Sequence, residues 1–565
     1  MSLRVSASSA TQDRSRKQRW YRILEKFIDQ MVRQEDESSY DSFELVDLAG
    51  RDLQTIPIFL HRHAHNIISL NLSRNSMSDV PLDFVQAAIT LRELRMTYMA
   101  LKRVPTSIRH SSALTRLDIS CNRIQDLEHA GLHEIPTLVS LKAMNNRLTT
   151  LPHQFAEMKS LKYLNISNNK FVSLPDHLCQ MRGLLDLDVS FNEISSLPAE
   201  LCQLASLERL VAAGNALTTF PDSFSSLASL RELDVRRNQL TNLNAVYALP
   251  NLAILQAEHN NLVSLDAQLG PKVREFDVPY NSLTRFTLAA RGAMDVSYSL
   301  TVLDLSYAKL STLADDALRQ LVNLDTLKLD YNKFTRLPET LESLPNLRTL
   351  SCVDNVLASL PSGLGKLLKL EVLNVHNNNL REIPSGIWHC RSLRVLNASS
   401  NLLPAFPDPP MDLQDEDPVH YTRQGTSDVV QADALDEDAT LPLCSSLKKL
   451  LLCDNQLTDD IFDTIAMMGE LRCLNLSFND IYEIPTWSLS KNPNLEELYL
   501  SGNNLTNLPA EDLERLTKLR IVHLNGNKLQ TLPAELGKIR KLLILDVGSN
   551  VLKYNIANWP YDWNW

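Results

Sequence analysis

Paired cysteines, a membrane-length apolar run, a basic excess and a recognisable catalytic motif are all missing from this 565-residue chain. Its eight cysteines (Cys121, Cys179, Cys202, Cys352, Cys390, Cys444, Cys453 and Cys473) are scattered singly, with no CxxC pair and no cluster at either end. That argues against a disulfide-stapled secreted fold and for a reducing compartment. No apolar run is long enough to span a bilayer, and residues 1–10 lack the apolar centre of a secretory signal. A cytoplasmic location without a transmembrane segment is expected. Triplets such as Asn71-Leu72-Ser73 and Asn165-Ile166-Ser167 then belong to a repeat and not to glycosylation. Lysine and arginine number 56 against 67 acidic residues, for a net charge of −11. Ten acidic side chains against the single Arg423 fall between Asp408 and Thr440, so the remaining residues carry only −2 (−11 less −9). A near-neutral surface lacks the basic face that phosphate binding needs, so nucleic acid is not an expected partner. Glycine is scarce too, at 15 residues, whereas a hydrophobic fraction of 44% can fill a large interior.

What is present is a repeat. Leu161-Lys-Tyr-Leu-Asn-Ile-Ser-Asn-Asn169, followed by Leu174-Pro175, returns 23 residues later as Leu184-Leu-Asp-Leu-Asp-Val-Ser-Phe-Asn192 and Leu197-Pro198. The pattern LxxLxLxxNxLxxLP places its Asn position at 51, 75, 99, 122, 146, 169, 192, 215, 238, 260, 281, 308, 332, 355, 378, 401, 455, 479, 503, 527 and 550. Of these 21 positions 18 carry Asn, the exceptions being Arg51, Met99 and Ala308. In LxL the two leucines point inward from a short strand and the residue between them faces solvent. The Asn amide donates and accepts, so it can satisfy backbone groups left by the bend. The proline fixes the outer segment and donates nothing. One turn cannot bury its leucines alone; stacked turns share a continuous core. The expectation is an α/β repeat solenoid, a leucine-rich-repeat horseshoe with a parallel β-sheet on its concave face and short irregular or 3-10 segments on its convex face. At about 4.8 Å per strand, 21 turns give an inner arc on the order of 100 Å, which is a binding surface and not a pocket.

The pattern also organises the rest of the chain. Residues 1–15 read as a disordered tail, 16–40 as an amphipathic capping helix, 41–407 and 441–553 as repeats, 408–440 as an acidic disordered insertion, and 554–565 as an aromatic terminus. The cap rests on Trp20, Ile23, Leu24, Phe27, Ile28 and Met31 at helical spacing. The basic residues Arg14, Arg16, Lys17 and Arg19 leave open a helix that docks a partner or membrane. The insertion is too polar to pack. A docking tail with Thr422, Thr426 or Ser427 as phosphate acceptors is the alternative to a solvated spacer. The stop within Trp559-Pro-Tyr-Asp-Trp563 suggests a fragment of a longer protein.

The centre of the repeats is irregular. Turns anchored at 238, 260, 281 and 308 lack Leu-Pro, reading Leu243-Asn244, Leu265-Asp266, Phe286-Thr287 and Leu313-Ala314. Here the residue before the Asn position runs Arg237, His259, Tyr280, Tyr307, Tyr331. Stacking the turns would align these into an aromatic and basic ladder, and Arg and Tyr are favoured at binding hot spots. Arg236 lies beside it, with Asp234, Asp277 and Asp304 at LxL midpoints, a mixed-charge face suited to a protein partner. The bland alternative is tyrosine packing along the edge of the solenoid.

Candidate chemistry elsewhere is weak. Gly363-Leu-Gly-Lys366 echoes a phosphate loop with the wrong spacing and no following Ser or Thr. His61, His63 and His65 lack a further ligand, and Asp315-Asp316 and Asp459-Asp460 are merely adjacent, so no metal site is expected. No GxSxG elbow or Cys–His constellation occurs.

Three stretches resemble the leucine-rich region of fungal, Ras-responsive adenylate cyclases: Leu373-Asn-Val-His-Asn-Asn-Asn-Leu-Arg-Glu-Ile-Pro384, Leu396-Asn-Ala-Ser-Ser-Asn-Leu-Leu-Pro-Ala-Phe-Pro-Asp-Pro-Pro410 and Tyr554-Asn-Ile-Ala-Asn-Trp-Pro-Tyr-Asp-Trp-Asn-Trp565. The third owes nothing to solenoid periodicity. The resemblance covers roughly residues 40 to 565. It implies a peripheral membrane protein in which a Ras-associating domain precedes the repeats and phosphatase-2C-like and cyclase domains follow. It further implies GTP-bound Ras and other regions of the parent cyclase as partners. Cyclic AMP synthesis, with ATP and Mg2+, would belong to the absent catalytic domain, so no catalytic residue is expected in this chain. The competing readings are the repeat region of a phosphatase-2C-type enzyme and a self-standing scaffold of the Ras pathway.

Overall fold

The 23-residue period becomes a solenoid turn by turn in a computed structural model of the chain, which describes residues 44–289, 297–410 and 441–553. The expectations for residues 1–40, for most of the acidic insertion and for 554–565 fall outside the described residues. The chain divides into two units, ending and starting at Lys142 and Ala143.

In the first unit, three-residue strands begin at Leu45, Ser69, Glu93, Arg116 and Ser140 and pair in parallel in chain order. In the second, sixteen such strands run from Tyr163–Asn165 to Ile544–Asp546. Their central residues form one inward row in exact Cα register, among them Leu164, Leu187, Leu210, Leu233, Leu255, Phe276, Leu303 and Leu327. These side chains are buried, as alternation along each strand requires. Each unit is a leucine-rich-repeat solenoid with an open parallel sheet. Across the acidic stretch the ladder does not break: Val395–Asn397 pairs directly with Lys449–Leu451.

The asparagines work between turns. Asn238 Nδ2 donates to Ala212 O of the preceding turn at 3.0 Å and to Val235 O and Arg236 O of its own at 3.0 and 3.2 Å. Its Oδ1 accepts from Leu217 N at 3.0 Å. Reaching inward this way demands a sharp bend just before the Asn. At all 21 turns the preceding residue is left-handed, with φ between 50° and 70°, from Gly50 through Arg237 and Tyr331 to Ser549. The ladder column expected near the strand's end is therefore this left-handed column.

Proline decides the outer face. After most Leu-Pro elements a five-residue 3-10 turn follows, as at Asp176–Gln180, Ala199–Gln203 and Ser362–Lys366, each capped by proline near its fixed φ, whereas Leu508-Pro509 leads into the short α-helix Ala510–Leu513. In the turns without it the outer segment changes. Leu243 and Ala314 lead into short α-helices at Asn244–Tyr247 and Asp315–Arg319. Ser264–Ala267 and Arg285–Leu288 instead form a second, two-stranded parallel sheet. Asp266 and Thr287 keep the N–H groups that a proline would have removed, so pairing becomes possible there.

One buried group is out of keeping. Both carboxyl oxygens of Asp512 are buried without a hydrogen-bond partner among the described residues. Ser488 holds the equivalent position one turn earlier and donates to Pro485 O at 2.6 Å. An unpaired buried carboxyl is costly. Asp512→Ser is expected to stabilise the second unit by about 1–3 kcal/mol, read as a higher urea midpoint. A lower midpoint would contradict this.

Candidate functional site

The left-handed turn that aims each Asn inward also aims its predecessor along the margin of the strand face, one step above the next turn. In the irregular centre that margin becomes a stack of rings. His259 lies on Tyr280 at a centroid distance of 4.2 Å, Tyr280 on Tyr307 at 3.9 Å and Tyr307 on Tyr331 at 4.1 Å, with interplanar angles of 9°, 12° and 12°. Arg237 stands exposed at the head of the column. Tyr280 and Tyr331 remain 42% and 43% exposed, so the stack is a surface feature and not core. A side chain with a Cβ in this conformation costs about 1–2 kcal/mol, and Asn and Gly carry it most cheaply. Asn145, Asn168 and Asn377 show the cheap choice in the same column. The tyrosines are thus the dearer residues at positions where asparagine serves.

Beside the rings lie the expected acidic residues. Asp234, Gln256, Asp277, Asp304 and Lys328 follow one another in Cα register at the strand ends. Asp234 is buried and gripped by Arg236 through two bonds of 2.9 and 2.8 Å. Arg236 also approaches Glu258 at 3.6 Å, and Lys328 approaches Asp304 at 3.5 Å. Asp277 is the uncompensated member. Burial, then the neighbouring Glu275 and Asp304, push its carboxyl up to about 7. Burial likewise raises Asp330, which accepts from Ser351 Oγ and Val353 N. The phenol of Tyr280 is raised first by its hydrogen bond with Tyr307.

Glu258, Glu275, Lys328 and Asp330 belong to this strip and were not singled out in the sequence. Lys328 continues the LxL-midpoint column itself, whereas Glu258, Glu275 and Asp330 occupy the other solvent-facing columns, so carrying the midpoint one turn further and reading every outward position would have found them. The strip carries six carboxylates (Asp234, Glu258, Glu275, Asp277, Asp304, Asp330) against Arg236, Arg237 and Lys328.

A raised carboxyl favours the protonated, folded form, so its contribution to stability is greatest at low pH. It is lost as pH rises from the ordinary Asp value through about 7. Asp277→Asn is therefore expected to raise the melting temperature at pH 8 by on the order of 1–2 °C and to change little at pH 4. Equal shifts at both pH values would argue against the assignment.

The remaining candidates resolve structurally. A Cβ on Gly365 would fall on the carbonyl oxygen of Gly386, so this glycine serves close packing of outer turns, and Lys366 pairs with Glu342 at 3.0 Å. His61 binds Asp83 at 3.1 Å. No group of three or more metal-competent side chains occurs among the described residues. In the first unit a hollow of about 250 Å³ is lined by Arg95, Arg116, Glu93 and Asp118. Its charges meet one another, Glu93 contacting Arg95 at 2.6 Å and Arg116 at 3.8 Å.

Comparison with known proteins places these features. A leucine-rich repeat region model matches residues 149–270, a leucine rich repeat model matches 112–171, 298–357, 345–403 and 445–505, and a two-copy model matches 493–538. An adenylate cyclase of Mycosarcoma maydis is 51% identical over 553 residues, covering 93% of this chain and 22% of that protein. One of Podospora anserina is 42% identical over 603 residues, covering 92% and 28%. The chain thus spans only 22–28% of the length of these relatives. Among solved structures, a leucine-rich-repeat protein of Leptospira interrogans is similar with a TM-score of 0.52 at 25% identity, covering 81% of this chain and 96% of that one.

Proposed function

The chain belongs to the leucine-rich-repeat region of the fungal adenylate cyclases, and from that premise we propose that it is the segment of such an enzyme that receives its regulator. In this reading it is a non-catalytic interaction domain that binds a Ras-like small GTPase in its GTP state and thereby controls cyclic AMP production by the parent. Catalysis, with ATP and Mg2+, is assigned to parts of the parent beyond these repeats. The observation that carries the reading is the stacked, exposed column from His259 to Tyr331: four rings held rigid on a sheet face at backbone positions where aromatic residues are costly. Preformed aromatic anchors lose little entropy on binding, which is why they recur at hot spots.

No helix among the described residues is long and apolar enough to cross a membrane. A cytoplasmic position, peripheral at the plasma membrane, would come from the parent or from the GTPase.

The test is a titration of this chain with a fungal Ras, loaded with a non-hydrolysable GTP analogue or with GDP. Binding at least about tenfold tighter to the GTP form is expected, a difference of about 1.4 kcal/mol. Equal or absent binding of both forms would overturn the GTPase assignment.

A further inference from the structure

The geometry of the stack restricts what it can hold. Its ring faces are turned on one another, at interplanar angles of 12° or less, so the faces are unavailable to a ligand along its length. What points outward is ring edges and polar tips. Edges carry the positive side of the aromatic quadrupole, so the stack does not draw cations as an open ring face would. It is a rigid wall. Attraction must come from the strand face beside it, where the carboxylates outnumber the cations and where Arg236 and Lys328 are already engaged with Asp234 and Asp304. Around Asp277 the balance is most one-sided. It shares its strand with Glu275 and is the Cα partner of Asp304, while the preceding strand offers only the neutral Gln256.

We propose that the strip between Asp234 and Tyr331 binds an extended segment of a protein partner through its arginine or lysine side chains. The cations sit on Glu275, Asp277 and Asp304, and their aliphatic stems lie against the edges of Tyr280, Tyr307 and Tyr331. Long basic side chains commonly divide in this way between an apolar wall and a charged tip. A guanidinium fork can bridge carboxylates one strand spacing apart, about 4.8 Å. The stack is roughly 12 Å long, matching about four extended residues, so it accommodates two cations at alternate positions, an Arg-x-Arg spacing. This rests on the strip being an interface, but not on the partner being a GTPase.

Asp277 supplies a second readout. The charged groups facing it are Glu275 of its own strand, Asp304 and Lys328 from the following turns and Arg236 from a preceding one. Held up at about 7 in the free chain, it ionises when a cation is seated, so binding releases a proton and strengthens as pH rises.

The probe is a fluorescent nine-residue peptide of alternating Arg and Ser, with counterparts bearing citrulline or Glu in place of Arg. Each is titrated into the full chain at about 0.15 M salt. The Arg peptide is expected to bind, and to bind about threefold or more tighter near pH 8 than near pH 6. The triple variant Tyr280→Asn, Tyr307→Asn, Tyr331→Asn and the double variant Asp277→Asn, Asp304→Asn should each weaken it by about tenfold or more. Asparagine suits the left-handed backbone, so the triple variant should keep its melting curve. Neutralising the ten acidic residues of 408–440 should leave the affinity unchanged. Equal binding of the citrulline peptide, indifference to both strip variants, or loss of binding on neutralising 408–440 would each overturn the proposal. If GTP-loaded Ras binds the wild type and is weakened by the triple variant while the Arg peptide fails to bind the wild type, the cation assignment falls and the GTPase reading stands. If the Arg peptide binds at the strip and Ras does not bind at all, the reverse holds.

Discussion

Replacing Asn378 with alanine is expected to lower stability by about 2–4 kcal/mol, a large effect for a polar side chain that touches no ligand. Asn378 is 6% exposed. Its Nδ2 donates to Cys352 O at 2.9 Å, Val375 O at 3.0 Å and His376 O at 3.2 Å, and its Oδ1 accepts from Leu357 N at 3.0 Å. Truncation strands one amide and several carbonyls between two turns, away from water. Each such group costs about 1–3 kcal/mol when left unpaired, and relaxation recovers part of the sum. Because a solenoid's stability resides in the contacts between neighbouring turns, the loss weakens both sides of the repeat. Urea unfolding followed by circular dichroism gives the value; a change below about 0.5 kcal/mol would mean that the asparagine column is ornamental.

The second large effect is expected at Trp388, the bulkiest fully buried side chain described. Its indole Nε1 donates to Pro407 O at 3.0 Å, and its ring meets Phe406 edge-on at 5.7 Å. The equivalent position one turn earlier is Gly365, so this tryptophan fills space that the ordinary outer segment does not leave. The reason lies in the next turn. Its outer chain runs through Phe406 and Pro407 towards the acidic stretch, and the repeat resumes at the helix Pro442–Ser446. Trp388→Ala should cost about 3–5 kcal/mol and should selectively speed amide exchange over residues 403–410 and 441–447. Uniform acceleration along the whole unit would contradict a local pinning role.

Much of this architecture was legible because a repeat states the same constraint many times. The Asn position located every three-residue strand of the inner row in both units, and strand register followed from the LxL leucines, even across the stretch from Asn401 to Asn455, where the chain spacing gives no help. The order of the ring column was equally legible, since stacked turns must align equivalent positions. What was not legible depended on geometry that the consensus does not encode. Nothing in Leu265-Asp266 and Phe286-Thr287 says that losing proline yields a second sheet, when the same loss at Leu243-Asn244 yields a helix. Left-handed φ at Tyr280 and Tyr331 is foreign to the intrinsic preference of tyrosine; the inward Asn that follows imposes it. The closeness of the ring faces, which turns the expected aromatic and basic ladder into a wall, likewise depends on that imposed dihedral. Asp512 was hidden for the opposite reason: an outer acidic residue ordinarily faces water, and only packing shows that this one does not.

The same contrast bears on the candidate site. Arg237, His259, Tyr280, Tyr307, Tyr331, Arg236, Asp234, Asp277 and Asp304 fall on one continuous strip, yet they do so in different electrostatic states. Asp234 is already neutralised by Arg236, whereas Asp277 is crowded by its own kind. Sequence position cannot distinguish a satisfied carboxylate from a frustrated one, because the difference depends on which neighbouring turn supplies a cation.

The measurement that bears most directly on the proposed interface is amide hydrogen exchange on this chain with and without Ras loaded with a GTP analogue. The account predicts slowed exchange confined to residues 234–331, and centred on the turns of Tyr280 and Tyr307. Protection elsewhere on the solenoid with no change across these turns would contradict it.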